Sequence, residues 1–324
     1  MNTSNVWLRR FSKLTVFATL FLIFVGALVK SFEVGLSVPD WPTTYGFQMF
    51  AFPWSDMVGG IFYEHSHRML ATIVGAMTLG LSIWLSFSET RVNVKKLGYL
   101  SLILVITQGL LGGLTVMFFL PTAISMIHGI TAQTFFLIII LIAYSLSIEF
   151  SNKNSKPDSN RTIVMSLFIA VYIQLILGAW MRHTESGLAI YDFPTMAGQW
   201  LPIFNEKMLT TINDWHFYMD YPEVSMQQVL IHFLHRFGAF VIFTLTIFMG
   251  YRLHQNKSVY SKKIQKNVFA IYVFVFLQIL LGALTIWTGK GPFITSFHVM
   301  NGAAVMGLSF ILFLRLSDIA FLRK

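Results

Sequence analysis

The chain of 324 residues contains no cysteine. That one absence removes disulfides, zinc–thiolate sites, iron–sulfur clusters and cysteine nucleophiles together. Charge is also scarce: Asp, Glu, Lys and Arg make up 11% of the residues, against about a quarter in soluble domains. Acidic groups are the rarer sign, with 14 against 23 basic ones. Proline is sparse as well, at 9 residues, so long helices meet few breakers.

What is present is apolar. Hydrophobic residues reach 55%, with 32 Phe and 8 Trp, a composition that suits lipid-facing helices and interfacial belts. A span needs about 20 mostly apolar residues. Eight runs qualify, at roughly 13–30, 64–87, 97–118, 123–148, 162–181, 230–251, 267–288 and 293–315. The expected fold class is therefore an all-α integral membrane protein with eight transmembrane helices. Segments 31–62 and 182–229 read as long loops, and turns around Pro121 and Gly289-Lys290-Gly291-Pro292 join neighbouring spans.

The net charge of +9 does not point to nucleic acid, because the bases lie in short loops between apolar runs. Seventeen of the 23 fall on one set of alternating segments, Lys156 and Lys257 among them. The positive-inside rule then places both termini in the cytoplasm and both long loops outside. The basic loops also attract anionic membrane lipid. No small-residue cleavage site follows Arg9, Arg10 and Lys13, so the first helix reads as retained. No Arg- and Ser-rich transit peptide stands at the start, which favours a bacterial plasma membrane.

The sequence repeats itself. Gly26-Ala-Leu-Val-Lys-Ser-Phe-Glu-Val-Gly-Leu-Ser-Val-Pro-Asp-Trp-Pro42 aligns without a gap on Gly178-Ala-Trp-Met-Arg-His-Thr-Glu-Ser-Gly-Leu-Ala-Ile-Tyr-Asp-Phe-Pro194. Gln108-Gly-Leu-Leu-Gly-Gly-Leu-Thr115 matches Gln278-Ile-Leu-Leu-Gly-Ala-Leu-Thr285. Each half holds an even number of spans, so the halves share one orientation as a parallel repeat. Two four-helix bundles are expected: residues 1–151, a cytoplasmic linker at 152–161, and residues 162–324.

Chemistry-bearing residues sit at the mouths of the second, fourth, sixth and eighth spans. Ionisable groups in such places are costly and suggest function. His67, His128, His235 and His298 occupy repeat-related positions at matched depth. Facing imidazoles in an apolar bundle suit a heme iron with two axial ligands; simple helix–helix hydrogen bonding is the alternative. Gly109, Gly112, Gly113, Gly282 and Ala283 would let helices approach closely or leave room for the ring. Arg68 and Arg236 follow two of the histidines and are expected to pair with heme propionates, or else to snorkel to lipid phosphate. Glu64 shares a helix face with His67, while the corresponding residue in the second half is His232. A buried carboxyl there could move protons or stabilise positive charge on a reacting carbon; capping the helix start is the competing role. His65 points away and reads as a packing or interfacial residue. His183, His216 and His254 read as surface residues, and Asp40-Trp41-Pro42 and Asp192-Phe193-Pro194 as rigid turns over the bundle mouths.

Gly35-Leu-Ser-Val-Pro-Asp-Trp-Pro42, Glu64-x-x-His67-Arg68, the Gln-x-x-Leu-Gly helices and the helix-heading histidines together resemble the heme A synthase family. The resemblance covers essentially the whole chain. It implies an oxidoreductase that converts heme O to heme A, turning a porphyrin methyl into a formyl group in successive oxygen-dependent steps, for cytochrome oxidase assembly. It implies a resident heme b on His235 and His298, a substrate heme lined by His67 and His128, and Glu64 as the functionally important glutamate. Implied partners are heme O synthase, cytochrome oxidase assembly factors and an electron donor that the sequence does not identify; small-residue helix faces permit a homo-oligomer. Many members carry a cysteine pair in the first outer loop, where this chain has Val38 and Thr44, so any mechanism needing a loop disulfide or thiol shuttle is excluded here. The rival readings are a di-heme b-type electron-transfer cytochrome without substrate conversion and a transporter built on a parallel repeat.

Overall fold

A computed structural model describes residues 6–153, 157–255 and 258–324. The expectations on Lys156, on Lys257 and on part of the 152–161 linker lie outside the described residues. Among those described the fold is helical, without strands beyond the isolated bridges Thr44–Phe47 and Met196–Gln199. Eight helices are long and apolar enough to cross a membrane. They are α1 (Val6–Ser31), α2 (Gly59–Ser88), α3 (Val92–Met117), α4 (Thr122–Ser145), α6 (Arg161–His183), α8 (Met226–Gln255), α9 (Lys262–Trp287) and α10 (Pro292–Leu316). The protein is therefore a multi-pass membrane protein. Two further helices connect them, the single turn α5 (Ile148–Ser151) and the loop helix α7 (Glu206–Tyr218).

The spans begin earlier than hydropathy alone places them. α2 starts at Gly59 and α8 at Met226, each about one turn before its apolar run. Just inside these added turns lie Glu64, His65, Arg68 and His232, which are buried among protein groups. Local signals set several other starts. Asn205 accepts from Met208 N at 3.0 Å to cap α7, and Pro292 opens α10 where its missing N–H costs nothing.

α1 packs on α2 and α4, and α3 on α2 and α4; in the second half α6 packs on α8 and α10, and α9 on α10 and α8. Between these groups, α1 meets α10, α4 meets α6, and α4 meets α10. The most enclosed spans are α4 and α10, and the least include α3 and α9. The inner contact is tight because Gly307 lets α10 approach α4. A Cβ there would lie 3.0 Å from Ile140 Cδ1 and 3.3 Å from Phe136 Cε1. Polar ties reinforce the seam at the histidine side. Arg182 donates to Ala27 O and Ser31 Oγ, and Lys30 pairs with Glu185 at 2.7 Å. At the opposite side, Arg315 pairs with Glu149 at 2.7 Å, and Lys153 donates to Leu314 O.

Each long loop folds back over the helix ends through an aspartate-centred turn. Asp40 accepts from Tyr45 N, Gly46 N and Thr43 Oγ1. Asp192 accepts from Ala197 N, Gly198 N and Thr195 Oγ1 in the same order. Both turns contain a cis proline bond, Trp41–Pro42 and Phe193–Pro194. Trp41 lies flat against α3, where a Cβ on Gly113 would come within 2.6 Å of the indole. Burial raises the Asp40 carboxyl, but the hydrogen bonds from Gly46, Thr43 and Tyr45 outweigh it and hold the group down to about 2.

Two outcomes are expected. Gly307→Val wedges α4 from α10 and destabilises the folded protein by about 1–3 kcal/mol; Gly75→Val, with open space at its Cβ, does not, as thermal unfolding in detergent will report. The Asp40 turn is intact above the ordinary carboxyl pKa of about 4 and loosens as pH falls from there toward about 2, because a depressed carboxyl stabilises only while ionised. Asp40→Ala removes about 2 kcal/mol from the turn at neutral pH, the scale of hydrogen bonds to a charged group, and proteolytic nicking within 31–58 measures it.

Candidate functional site

The four repeat-related histidines all sit about two turns inside helices that start on the same side, α2, α4, α8 and α10. Each ring lies against a glycine of a neighbouring helix. A Cβ would lie 2.9 Å from His67 Nε2 if placed on Gly26, and 3.6 Å from His128 Cε1 on Gly112. It would lie 3.1 Å from His235 Cε1 on Gly178, and 3.2 Å from His298 Cε1 on Gly282. The small residues flanking the histidines therefore make room for imidazoles, two of them at positions singled out in the sequence.

The structure brings His235 and His298 together, with ring centroids 6.3 Å apart and planes inclined by 58°. Two in-line imidazoles bonded to one metal at about 2 Å each hold their centroids roughly 6 Å apart, so the pair has the separation of a bis-imidazole metal site. His298 Nδ1 is buried without a partner, a free nitrogen of the kind such a site requires. Both observations fit a heme iron held between α8 and α10. Among the described residues no cluster of three or more His, Cys, Asp and Glu is placed to hold a bare metal ion.

Glutamines stand behind three of the rings. Gln174 Nε2 donates to His235 O at 2.7 Å and lies 3.1 Å from its Nδ1. Gln278 Nε2 donates to His298 O at 3.1 Å and lies 3.3 Å from its Nε2. The Gln108 amide, turned so that both its ends are satisfied, donates to His128 O at 3.1 Å, faces Nδ1 at 3.3 Å and accepts from Ala132 N. Gln174 escapes the sequence reading, although Gln174-Leu-Ile-Leu-Gly178 repeats the Gln-x-x-Leu-Gly pattern of the other two helices.

Beside His67, Glu64 and Arg68 form a buried ion pair at 2.6 Å. The other Glu64 oxygen accepts from Val38 N at 2.8 Å. Arg68 also donates to Val38 O, Asp40 O and Thr43 O. This arrangement corrects two expectations. Arg68 is buried and commits four of its N–H groups to the protein, so it fastens the loop and does not snorkel to lipid phosphate. Glu64 lies more than a turn inside α2, whose first residue is Gly59, so it does not cap the helix. The second half repeats the arrangement with an imidazole. His232 Nδ1 faces Ile190 N at 3.1 Å, Arg236 Nε faces His232 Nε2 at 3.1 Å, and Arg236 donates to Ile190 O and Thr195 O. Arg236 is thus also a loop fastener, lying over the Phe193 ring at 5.9 Å.

His65 is the packing residue expected: buried, bonded to Thr44 Oγ1 at 2.9 Å, with the Phe52 ring centroid 5.1 Å away. His254 is exposed. His216 is not a surface residue. It is buried on α7, with Nδ1 at 2.8 Å from Pro222 O and Nε2 at 3.2 Å from Leu188 O. Its contacts arise because α7 folds back on the loop, a short amphipathic element that the search for long apolar runs passes over.

Residues 9–310 match the COX15-CtaA family, described as cytochrome oxidase assembly protein. Similar curated proteins are heme A synthases. That of Halalkalibacterium halodurans is 26% identical over 306 residues, 90% of this chain and 91% of its own length. That of Lysinibacillus sphaericus is 25% identical, covering 94% and 93%. That of Shewanella oneidensis is 27% identical, covering 76% and 78%. With histidine-bearing helices, loop fasteners and matched residues running through both halves, this chain belongs to the COX15-CtaA family of cytochrome oxidase assembly proteins.

Proposed function

We propose that this protein is a heme A synthase of a bacterial plasma membrane, oxidising a porphyrin methyl of heme O to the formyl group of heme A. The observation that carries the reading is one difference between otherwise matching surroundings. Glu64 stands beside His67, and His232 takes its place beside His235. The half with a carboxylate does the chemistry; the half without it holds a resident group. A di-heme cytochrome that only transfers electrons gives no reason for that difference.

In this reading residues 162–324 hold heme b through His235 and His298, and residues 1–151 bind heme O between His67 and His128. The two units are parallel repeats joined by the 152–161 linker, with both termini cytoplasmic and the histidine side outward. When bound, heme b supplies reversible one-electron transfer. The chain's own residues do the rest. His67 and His128 orient the substrate, and the Asp40 and Asp192 turns cover the helix ends and limit water. Glu64 lies one turn from His67 on the same face, and both its oxygens accept hydrogen bonds. A carboxyl held this way is suited to stabilising positive charge on the reacting carbon. Carrying a proton would first require it to leave Arg68 or Val38 N. Val38 and Thr44, the positions of family cysteines, tie the loop to Glu64 and His65, so the loop is closed without a thiol.

Cells that make heme O and express this chain will contain heme A, detected by mass spectrometry of extracted hemes. Glu64→Gln keeps the hydrogen-bonding shape but lowers formyl-heme formation by at least tenfold while heme b is retained. His235→Ala and His298→Ala each lose the heme b absorbance of the purified protein. No heme A from the wild type, or an unchanged heme b spectrum in both histidine variants, would contradict the assignment.

A further inference from the structure

Three of the four ring-bearing sites share one local device, and the fourth lacks it. On α3, α6 and α9 a glutamine lies one turn before the glycine that receives a histidine: Gln108 before Gly112, Gln174 before Gly178, Gln278 before Gly282. Each amide grips the backbone carbonyl of its histidine and lies beside one ring nitrogen. On α1 the same spacing before Gly26 falls on Leu22, a residue packed into the apolar core. Gly26 still receives the His67 ring, yet among the described residues nothing hydrogen-bonds that ring. The difference extends to the facing helix. Gly238, three residues after His235, clears space for Gln174, since a Cβ there would lie 2.1 Å from its Oε1. Three residues after His67 stands Leu70. Both the amide and the space for it are missing from this one site.

Metal-bound imidazole keeps its orientation and basicity through a partner on its other nitrogen, and loss of that partner costs about 10–100-fold in metal affinity. Here each glutamine is tied to its histidine by the bond from its Nε2 to the histidine carbonyl, which holds the amide beside the ring and restrains the ring's tilt. We propose that Gln108, Gln174 and Gln278 are positioning residues for His128, His235 and His298, and that His67 is the yielding ligand through which the N-terminal site exchanges its heme. The proposal rests on the heme reading above. It assigns retention to the site with two braced histidines and turnover to the site with one. A substrate heme has to enter and its product has to leave, so one firm and one yielding ligand suit that half; a resident heme needs two firm ones.

The test is transfer of heme from the purified protein to excess apomyoglobin, followed by absorbance. Two phases are expected, a fast one from the N-terminal site and a slow one from the C-terminal site. Gln174→Leu accelerates the slow phase about tenfold, and Gln174→Glu, which has no N–H for the His235 carbonyl, does not return it to the wild-type rate. The paired substitution Leu22→Gln with Leu70→Gly slows the fast phase about tenfold; Gln108→Leu accelerates it further. Should the paired variant fail to fold, the Gln174 and Gln108 variants still decide. A single phase, or two phases unmoved by these substitutions, overturns this inference alone. Purified wild type without any Soret absorbance overturns the heme reading beneath it.

Discussion

The structure depends on two guanidinium groups kept away from water. Arg68 and Arg236 sit more than two turns inside their helices, where an unpaired charge would be prohibitive. Each finds its partners in the backbone of a long loop: Val38, Asp40 and Thr43 for Arg68, Ile190 and Thr195 for Arg236. A carbonyl given to the guanidinium is one that needs no other partner, so loop and helix satisfy each other. The aspartate turns then fix the loop's own shape. The loops are thereby docked on the histidine-bearing helices without a covalent link, which is how a cysteine-free chain closes both helix mouths.

Docking the loops leaves the inner faces of the helices free for the imidazoles. Glycines at Gly26, Gly112, Gly178 and Gly282 accept the rings against helix backbone, and Gln108, Gln174 and Gln278 restrain three of them. The His235–His298 separation of 6.3 Å follows from this packing. The seam through α1, α4, α6 and α10 places the two histidine pairs in one rigid body, closed at one side by Lys30, Arg182 and Glu185 and at the other by Arg315 and Glu149.

Much of this was legible in the residues. Eight apolar runs gave eight membrane-length helices, because span length and hydropathy are set by the membrane itself. The repeat identified His67, His128, His235 and His298 as related positions, and the contrast of Glu64 with His232 was visible before any coordinates. The loop contacts of Arg68 and Arg236 were not. Their partners are backbone carbonyls many residues away, and a carbonyl leaves no mark in a sequence. His216 was misread for a similar reason, since the short helix α7 owes its burial to a fold of the loop. Gln174 did carry a signal, the Gln-x-x-Leu-Gly spacing, which becomes meaningful once a ring is seen resting on Gly178.

The two halves thus share loop fastening, glycine seats and histidines, and differ in how the arginine is partnered and in how firmly one ring is held. Glu64 puts a carboxyl group where the second half has an imidazole, and that residue is the centre of the account. Replacing it by the second half's own residue, Glu64→His, keeps a hydrogen-bonding partner for Arg68 while removing the carboxylate. The account predicts a folded protein that retains its heme b and accumulates heme O without forming heme A, as read by mass spectrometry of the hemes in expressing membranes. Heme A formation at the wild-type level in Glu64→His would contradict it.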